Sequence, residues 1–320
     1  MARFLTHHSS YPLPRVTSFT RLVSKELSAW QFLLPAALFF LGWQLYPILR
    51  VLWLSFTNFY YLRTQYDVQF VGLANYLEAL GDPWLRIGLL RATIFTAMFL
   101  PGMIALPLSA AILIDRLSIS HPRWAGLYRF ILLVPAMIPG PLIFVLWKWL
   151  YSYTIGPINY VLVDFLHIFT IYNAPQWLGD PKLIFPAITV MEWWWGLGYH
   201  TIFFLAGLAA IPRDLYDAAR VDGANEWQIF WNITIPRLMP VLLILTALRF
   251  GTSMAVIDEF LIFGGTNQSL PTYTWTVYMW DLAFQIGDWR QSYAAAVGWI
   301  GAIVMLVVVL ILFRLFRSRD

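Results

Sequence analysis

Residues 211–240 read IPRDLYDAARVDGANEWQIFWNITIPRLMP, a polar interruption between two long apolar stretches. The segment carries Arg213, Asp214, Asp217, Arg220, Asp222, Glu226 and Arg237, with Pro212 at its second position. Its first half, Asp214 to Arg220, is rich in helix formers, and Asp214 stands like an N-cap two residues after Pro212. Gly223 breaks that helix, and Asn225 is placed to cap a second one running through Trp227 and Phe230. Two short helices bent at a glycine predict a compact knob, a shape suited to docking in a partner's cleft. A surface helical hairpin without a special role fits the same residues, because a motif is a hypothesis until its context is seen.

The rest of the chain explains why such a knob stands out. Of 320 residues, 60% are hydrophobic and 12% charged, and the mean hydropathy is +0.65. Soluble domains carry about 25% charged residues, so most of this chain belongs where charge is expensive. A polytopic membrane protein is the class that fits. With no cysteine there is no disulfide, thiolate metal site or cysteine nucleophile. The net charge of +4 is spread along short connections and does not point to nucleic acid.

Six apolar stretches exceed the roughly twenty residues needed to cross hydrocarbon. They run about Trp30 to Phe56 (broken by Pro35 and Pro47), Ile87 to Ile114, Leu127 to Tyr151, Leu183 to Ala210, Leu238 to Phe263 and Ser292 to Phe316. The expected fold is therefore all-α and integral to the membrane, with a tail at 1–29 and a six-span domain at 30–320 that holds the polar loop at 211–240. The tail bears Arg3, Arg15, Arg21 and Lys25, and its apolar run starts too late for a cleaved signal peptide. Thirteen of the 21 Lys and Arg fall in that tail, at the second-to-third connection, in the knob and at the C-terminus. The positive-inside rule then puts both termini and the knob in the cytoplasm. No Gly-Lys dipeptide occurs, so the chain has no P-loop and is expected to be no ATPase itself.

The spacing Asp217-Ala218-Ala219, three residues, Gly223, nine residues, Ile233, one residue, Ile235-Pro236 resembles the EAA loop of binding-protein-dependent ABC importer permeases. Asp217 stands where glutamate is usual and Ile235 where leucine is usual, and both keep the chemistry. FVGLANY at Phe70 to Tyr76 is similar to a stretch of the carbohydrate-uptake branch. So are Trp147, Gly156-Pro157-Ile158-Asn159, the run Ala206 to Pro212, the Gly264-Gly265 pair and Asp281 to Phe284. The likeness is to the larger maltose-type permease subunit with a bare six-span core. It implies the type I ABC importer permease fold in a bacterial or archaeal plasma membrane, the inner membrane if Gram-negative. The implied partners are a second homologous permease, two ABC ATPase subunits or domains that bind ATP and Mg, an extracytoplasmic solute-binding protein and membrane lipid. The chain itself is implied to hold no cofactor or metal. In the coupling loop Gly223 would allow the bend, Asp217, Ala218, Ala219 and Asp222 would shape the docked helix, and Ile233, Ile235 and Pro236 would seat it against the spans. The implied cargo is a sugar, oligosaccharide or related polyol.

Polar residues inside spans cost about 2.5–3.5 kcal/mol for a central charge and face protein or a water-filled cavity. Glu192, Trp195, Gly196 and Tyr199 fall at i, i+3, i+4 and i+7, one helix face, and Arg249, Thr252, Ser253 and Val256 repeat the spacing. A carboxylate beside aromatic rings offers hydroxyl acceptors and an apolar platform, as a sugar requires. The maltose-type likeness places its sugar contacts near the same positions. Ordinary helix packing, with Arg249 bridging to Glu192, fits these residues too. Asp258 and Glu259 read as interface or partner contacts, and His200 as a satisfied core histidine. An ion-coupled secondary transporter using Glu192 or Asp258 and Glu259, and a membrane enzyme using Asp214, Asp217 and Asp222, are the alternatives from other classes.

Overall fold

In the computed structural model of the protein, residues 31–60, 67–285 and 289–316 are described. The expected tail at 1–29, and with it Trp30 at the start of the first span, lies outside the described residues, as do Arg63, Asp288, Arg317 and Arg319. The chain forms two compact units, Met1–Trp53 and Leu54–Asp320. Among the described residues the regular elements are all helices; the β content is an isolated antiparallel bridge, Thr57 to Phe70.

Helix α1 is Gln31–Ser55. The breaks expected at Pro35 and Pro47 do not occur. A π turn at Leu41–Leu45 precedes Pro47, where the missing N–H would otherwise leave a gap in the helical ladder. In the second unit, α2 (Ala74–Gly81) follows a turn at Gly72, whose φ is +60°. Asn75 of the FVGLANY stretch donates to the carbonyls of Ser55 and Thr57.

Helix α3, Pro83–Ser120, has 38 residues and runs through Pro101 and Pro107. At 1.5 Å per residue it is about 57 Å long, so the expected span at Ile87 to Ile114 is only its middle. Asp82 starts it, accepting from the Trp84 N–H, with Pro83 at the first helical position.

The third expected span, Leu127 to Tyr151, is corrected. It consists of α4 (Pro122–Leu133), a 3-10 turn at Val134–Met137, and α5 (Gly140–Leu150), bent by 93°. Pro135, Pro139 and Pro141 each remove a backbone donor, so no continuous ladder survives there. A short α6, Pro157–Tyr160, follows; its Asn159 donates to the Tyr153 and Pro175 carbonyls and accepts from Trp177 Nε1.

Helix α7 is Ile184–Ala209, α8 is Arg213–Val221, α9 is Glu226–Met254, α10 is Asp258–Gly264, α11 is Trp275–Phe284 and α12 is Gln291–Phe316. The fifth expected span, Leu238 to Phe263, is also corrected: the helix begins earlier, at Glu226, and stops at Met254 before the short α10. The break is stable because α11 reaches the freed carbonyls. Trp275 Nε1 donates to Met254 O and Thr276 Oγ1 to Val256 O.

Four described helices, α1, α3, α9 and α12, are long and apolar enough to cross a membrane. The number rises to six if α4 with α5, and α7 with α8, each count as one bent span. The core forms where α3 packs on α7, α9 and α11. At its centre Phe95 meets Phe99, Phe185 and Phe260. A second apolar cluster, around Leu108, Ala111, Phe204, Leu208, Ile211 and Leu238, lies at the end of the unit that bears the knob.

Candidate functional site

The knob is α8, the Gly223 turn and the first turns of α9. Gly223 has φ +83°, the left-handed region that favours glycine, and a Cβ there would meet nothing within 4 Å. Asn225 forms a capping box with Gln228: each side chain accepts the other residue's backbone N–H. Two expectations change. Pro212, not Asp214, occupies the N-cap of α8, so Asp214 sits in its first turn. The second arm is not a separate helix either. Residues from Glu226 pass through a π turn at Phe230–Thr234 into the body of α9, so the arm is rigidly continuous with a span.

Asp217 is exposed and pairs with Arg220 at 3.2 Å. Ala218 lies exposed on the same helix, with Asp222 and Gly223 at its exposed C-terminal end. Ile233 and Ile235 pack against the second apolar cluster, and Pro236 follows at the start of the regular α-helix. Val221, Trp227 and Trp231 project apolar surface outward from the knob. Sequence reading passed over Trp231, whose ring sits edge-on to Trp227.

Inside the helix bundle, Glu192, Arg249, Thr252, Ser253 and Val256 do come together, with Glu259, Phe95 and Phe99, around a cavity of about 40 Å³. A water needs about 10–15 Å³ of such space, so in this conformation the cavity has room for a few waters at most. Gly196 does not line it but lies behind Arg249: a Cβ there would lie 2.1 Å from Met103 Cε and 2.9 Å from Arg249 Nη2. Trp195 turns away to meet Phe144 edge-on, and Tyr199 is exposed, edge-on to Phe203. Of the two stripes, Glu192, Arg249, Thr252, Ser253 and Val256 share one wall, and Trp195, Gly196 and Tyr199 lie off it.

Arg249 does not bridge to Glu192. No ion pair within 4 Å joins them among the described residues; instead its Nε donates to His200 Nε2 at 2.7 Å. His200 Nδ1 lies 2.7 Å from the Gly196 carbonyl. The guanidinium also sits over the Phe99 ring, 5.8 Å from its centroid. Thr252 and Ser253 donate to carbonyls of their own helix, at Arg249 and Phe250, which leaves oxygen lone pairs available to accept. Glu192 Oε1 is buried without a hydrogen-bond partner among the described residues. Glu259, expected as an interface or partner contact, lines the cavity, while its neighbour Asp258 is exposed. The break at Ala255–Ile257 turns Glu259 inward, and no periodicity carries across such a break.

Residues 83–319 match the family described as binding-protein-dependent transport system inner membrane components. The lactose transport system permease protein LacF of Rhizobium radiobacter is 32% identical over 92% of this chain and 95% of its own length. The inner membrane ABC transporter permease protein YcjO of Escherichia coli is 29% identical over 90% of this chain and 92% of its own. In structure, the chain is similar to a bacterial ABC transporter involved in the import of the acidic polysaccharide alginate. There the TM-score is 0.79 at 20% identity, over 93% of this chain and 98% of the other. With the match running from the first residue of α3 nearly to the C-terminus, the chain belongs to the family of binding-protein-dependent transport system inner membrane components.

Proposed function

We propose that this chain is the permease subunit of an ATP-driven importer for a sugar, oligosaccharide or related polyol. The lactose permease relative and the alginate importer support the carbohydrate class. The chain lines the translocation path with a second, homologous permease in the plasma membrane of a bacterium or archaeon. A solute-binding protein delivers cargo on the outer side. Two ABC ATPase subunits or domains bind ATP and Mg on the cytoplasmic side, where the distribution of Lys and Arg puts the knob. The proposed path runs beside Glu192, Trp195, Gly196, Tyr199, Arg249, Thr252, Ser253 and Val256; of these, Glu192, Arg249, Thr252, Ser253 and Val256 line the small cavity.

The observation that carries this reading is the construction of the knob. An exposed helix, α8, is joined through an unobstructed glycine turn to an arm continuous with α9. A force on α8 is delivered to the bundle with no flexible linker between. ATP binding closes the ATPase pair, the docked knob follows, and the spans change the side on which the path is open.

Two substitutions at Gly223 test it. Gly223→Ala and Gly223→Trp carry the same backbone strain at φ +83°, about 1–2 kcal/mol, but only tryptophan adds bulk on the docking side. Expected are transport in the alanine variant and abolished uptake in the tryptophan variant, with both proteins inserted at normal levels. Normal uptake by Gly223→Trp would remove the coupling assignment. Uptake that continues without ATP but stops when the proton gradient collapses would instead favour the ion-coupled reading.

A further inference from the structure

With 38 residues, about 57 Å, helix α3 is longer than a hydrocarbon core of roughly 30 Å. Its last turns stand beside the knob, and two consecutive residues there reach the two arms on either side of Gly223. Asp115 Oδ1 accepts from Arg213 Nη2 at 2.8 Å, at the first residue of α8. Arg116 Nη2 donates to Glu226 Oε2 at 2.5 Å, at the first residue of α9. Arg220 spans the bend between them, 3.2 Å from Asp217 and 3.6 Å from Glu226. These groups rim an open cavity of about 390 Å³ floored by apolar side chains such as Ile112 and Phe230.

We propose that Asp115 and Arg116 are positioning residues that tie the second span to the coupling knob, so that α3 and the knob move as one body during transport. The inference rests on the coupling role proposed above. Exposed ion pairs add little to stability, and the apolar contacts beneath already hold the knob on the bundle: Leu215, Tyr216 and Phe230 pack on the cluster that includes Leu108 and Ala111. What the pairs add is direction. Apolar contact is non-directional, whereas two charge pairs set at different points along the knob resist its sliding or rotating on α3. Each end of the latch uses opposite charges from separate helices, so the geometry is specified by sign as well as by reach. Asp115 is the less exposed member of its pair, with 21% of its side chain accessible against 53% for Arg213. Through α3, the longest described helix and the centre of the core, the knob then gains a second lever besides α9.

The Asp115–Arg213 pair gives the cleaner test, because Glu226 is shared by two arginines. In the assembled importer, Asp115→Arg and Arg213→Asp are each expected to lower substrate moved per ATP hydrolysed by at least about threefold, within the range that coupling networks show. The double exchange, Asp115→Arg with Arg213→Asp, is expected to recover most of it, which a merely structural role would not require. A second arm uses the absence of cysteine from the chain: Asp115→Cys with Arg213→Cys, bridged by a short reducible bis-thiol reagent, is expected to keep transporting. Single reversals that couple normally with the ATPase bound would overturn the latch alone, as would transport lost on bridging and restored by reductant. Failure of any ATPase to co-purify with the unaltered chain would instead remove the coupling role on which the latch depends.

Discussion

Arg249 and His200 are joined across the bundle, with the Arg249 Nε–H donating to His200 Nε2 at 2.7 Å and His200 Nδ1 facing the Gly196 carbonyl at the same distance. A nitrogen that accepts from guanidinium carries no proton, so the imidazole proton belongs on Nδ1, where it donates to the carbonyl. His200 thus connects a charge on α9 to the backbone of α7.

Removing that acceptor leaves a half-buried guanidinium N–H without that partner. His200→Ala is expected to cost about 1–3 kcal/mol, and His200→Gln, whose amide oxygen can accept, distinctly less. Thermal unfolding of the purified transporter measures both; equal losses would mean that His200 acts by its volume rather than by its hydrogen bond.

Two glycines of α7 separate rigid from yielding neighbours. A Cβ on Gly198 would lie 2.0 Å from the Leu132 carbonyl oxygen, which is backbone, whereas one on Gly196 would meet the flexible end of Met103 at 2.1 Å. Overpacking costs about 1–3 kcal/mol where side chains can shift. Gly198→Ala is therefore expected to destabilise more than Gly196→Ala. The order of the two unfolding midpoints in the same detergent decides the matter.

Asp82 offers a pH-dependent contribution outside the spans. Burial by itself would raise its pKa, but hydrogen bonds from Tyr278, Tyr293 and the Trp84 and Leu85 N–H groups outweigh burial and hold the carboxyl below its usual 3.8. A depressed folded value means stability that is complete above the unfolded pKa and is lost as the pH falls through the folded one. Asp82→Asn keeps a good N-cap and removes the charge, so it is expected to cost about 1 kcal/mol near neutral pH. The difference from the unaltered chain should vanish at pH below the folded pKa. A difference independent of pH would show that the charge does not matter.

The knob was legible in the sequence because its determinants are local. A glycine at the bend, the Asn225–Gln228 box and a cluster of charges between apolar runs act within a few residues of one another. The membrane class was legible for a related reason: the cost of burying charge depends on composition, which no fold can alter. Residues Asp214 and Glu226 show the limit even here. Whether Pro212 or Asp214 takes the cap, and whether the second arm ends or continues into a span, depends on the helices that receive them.

What the sequence by itself determined is the number of apolar stretches, the polar loop between two of them and the candidate residues on α7 and α9. Only the tertiary structure decided that the span ending in Met254 is broken, because a broken ladder survives only when a distant group, such as Trp275 Nε1 for Met254 O, satisfies the carbonyl it frees. It also decided that Arg249 meets His200, that Glu259 turns inward and that Asp115 reaches Arg213. Those pairings join residues 49, 67 and 98 positions apart, with Glu259 counted from Glu192 across their shared cavity. Periodicity orders the faces of one helix, but the packing of several helices selects which faces meet.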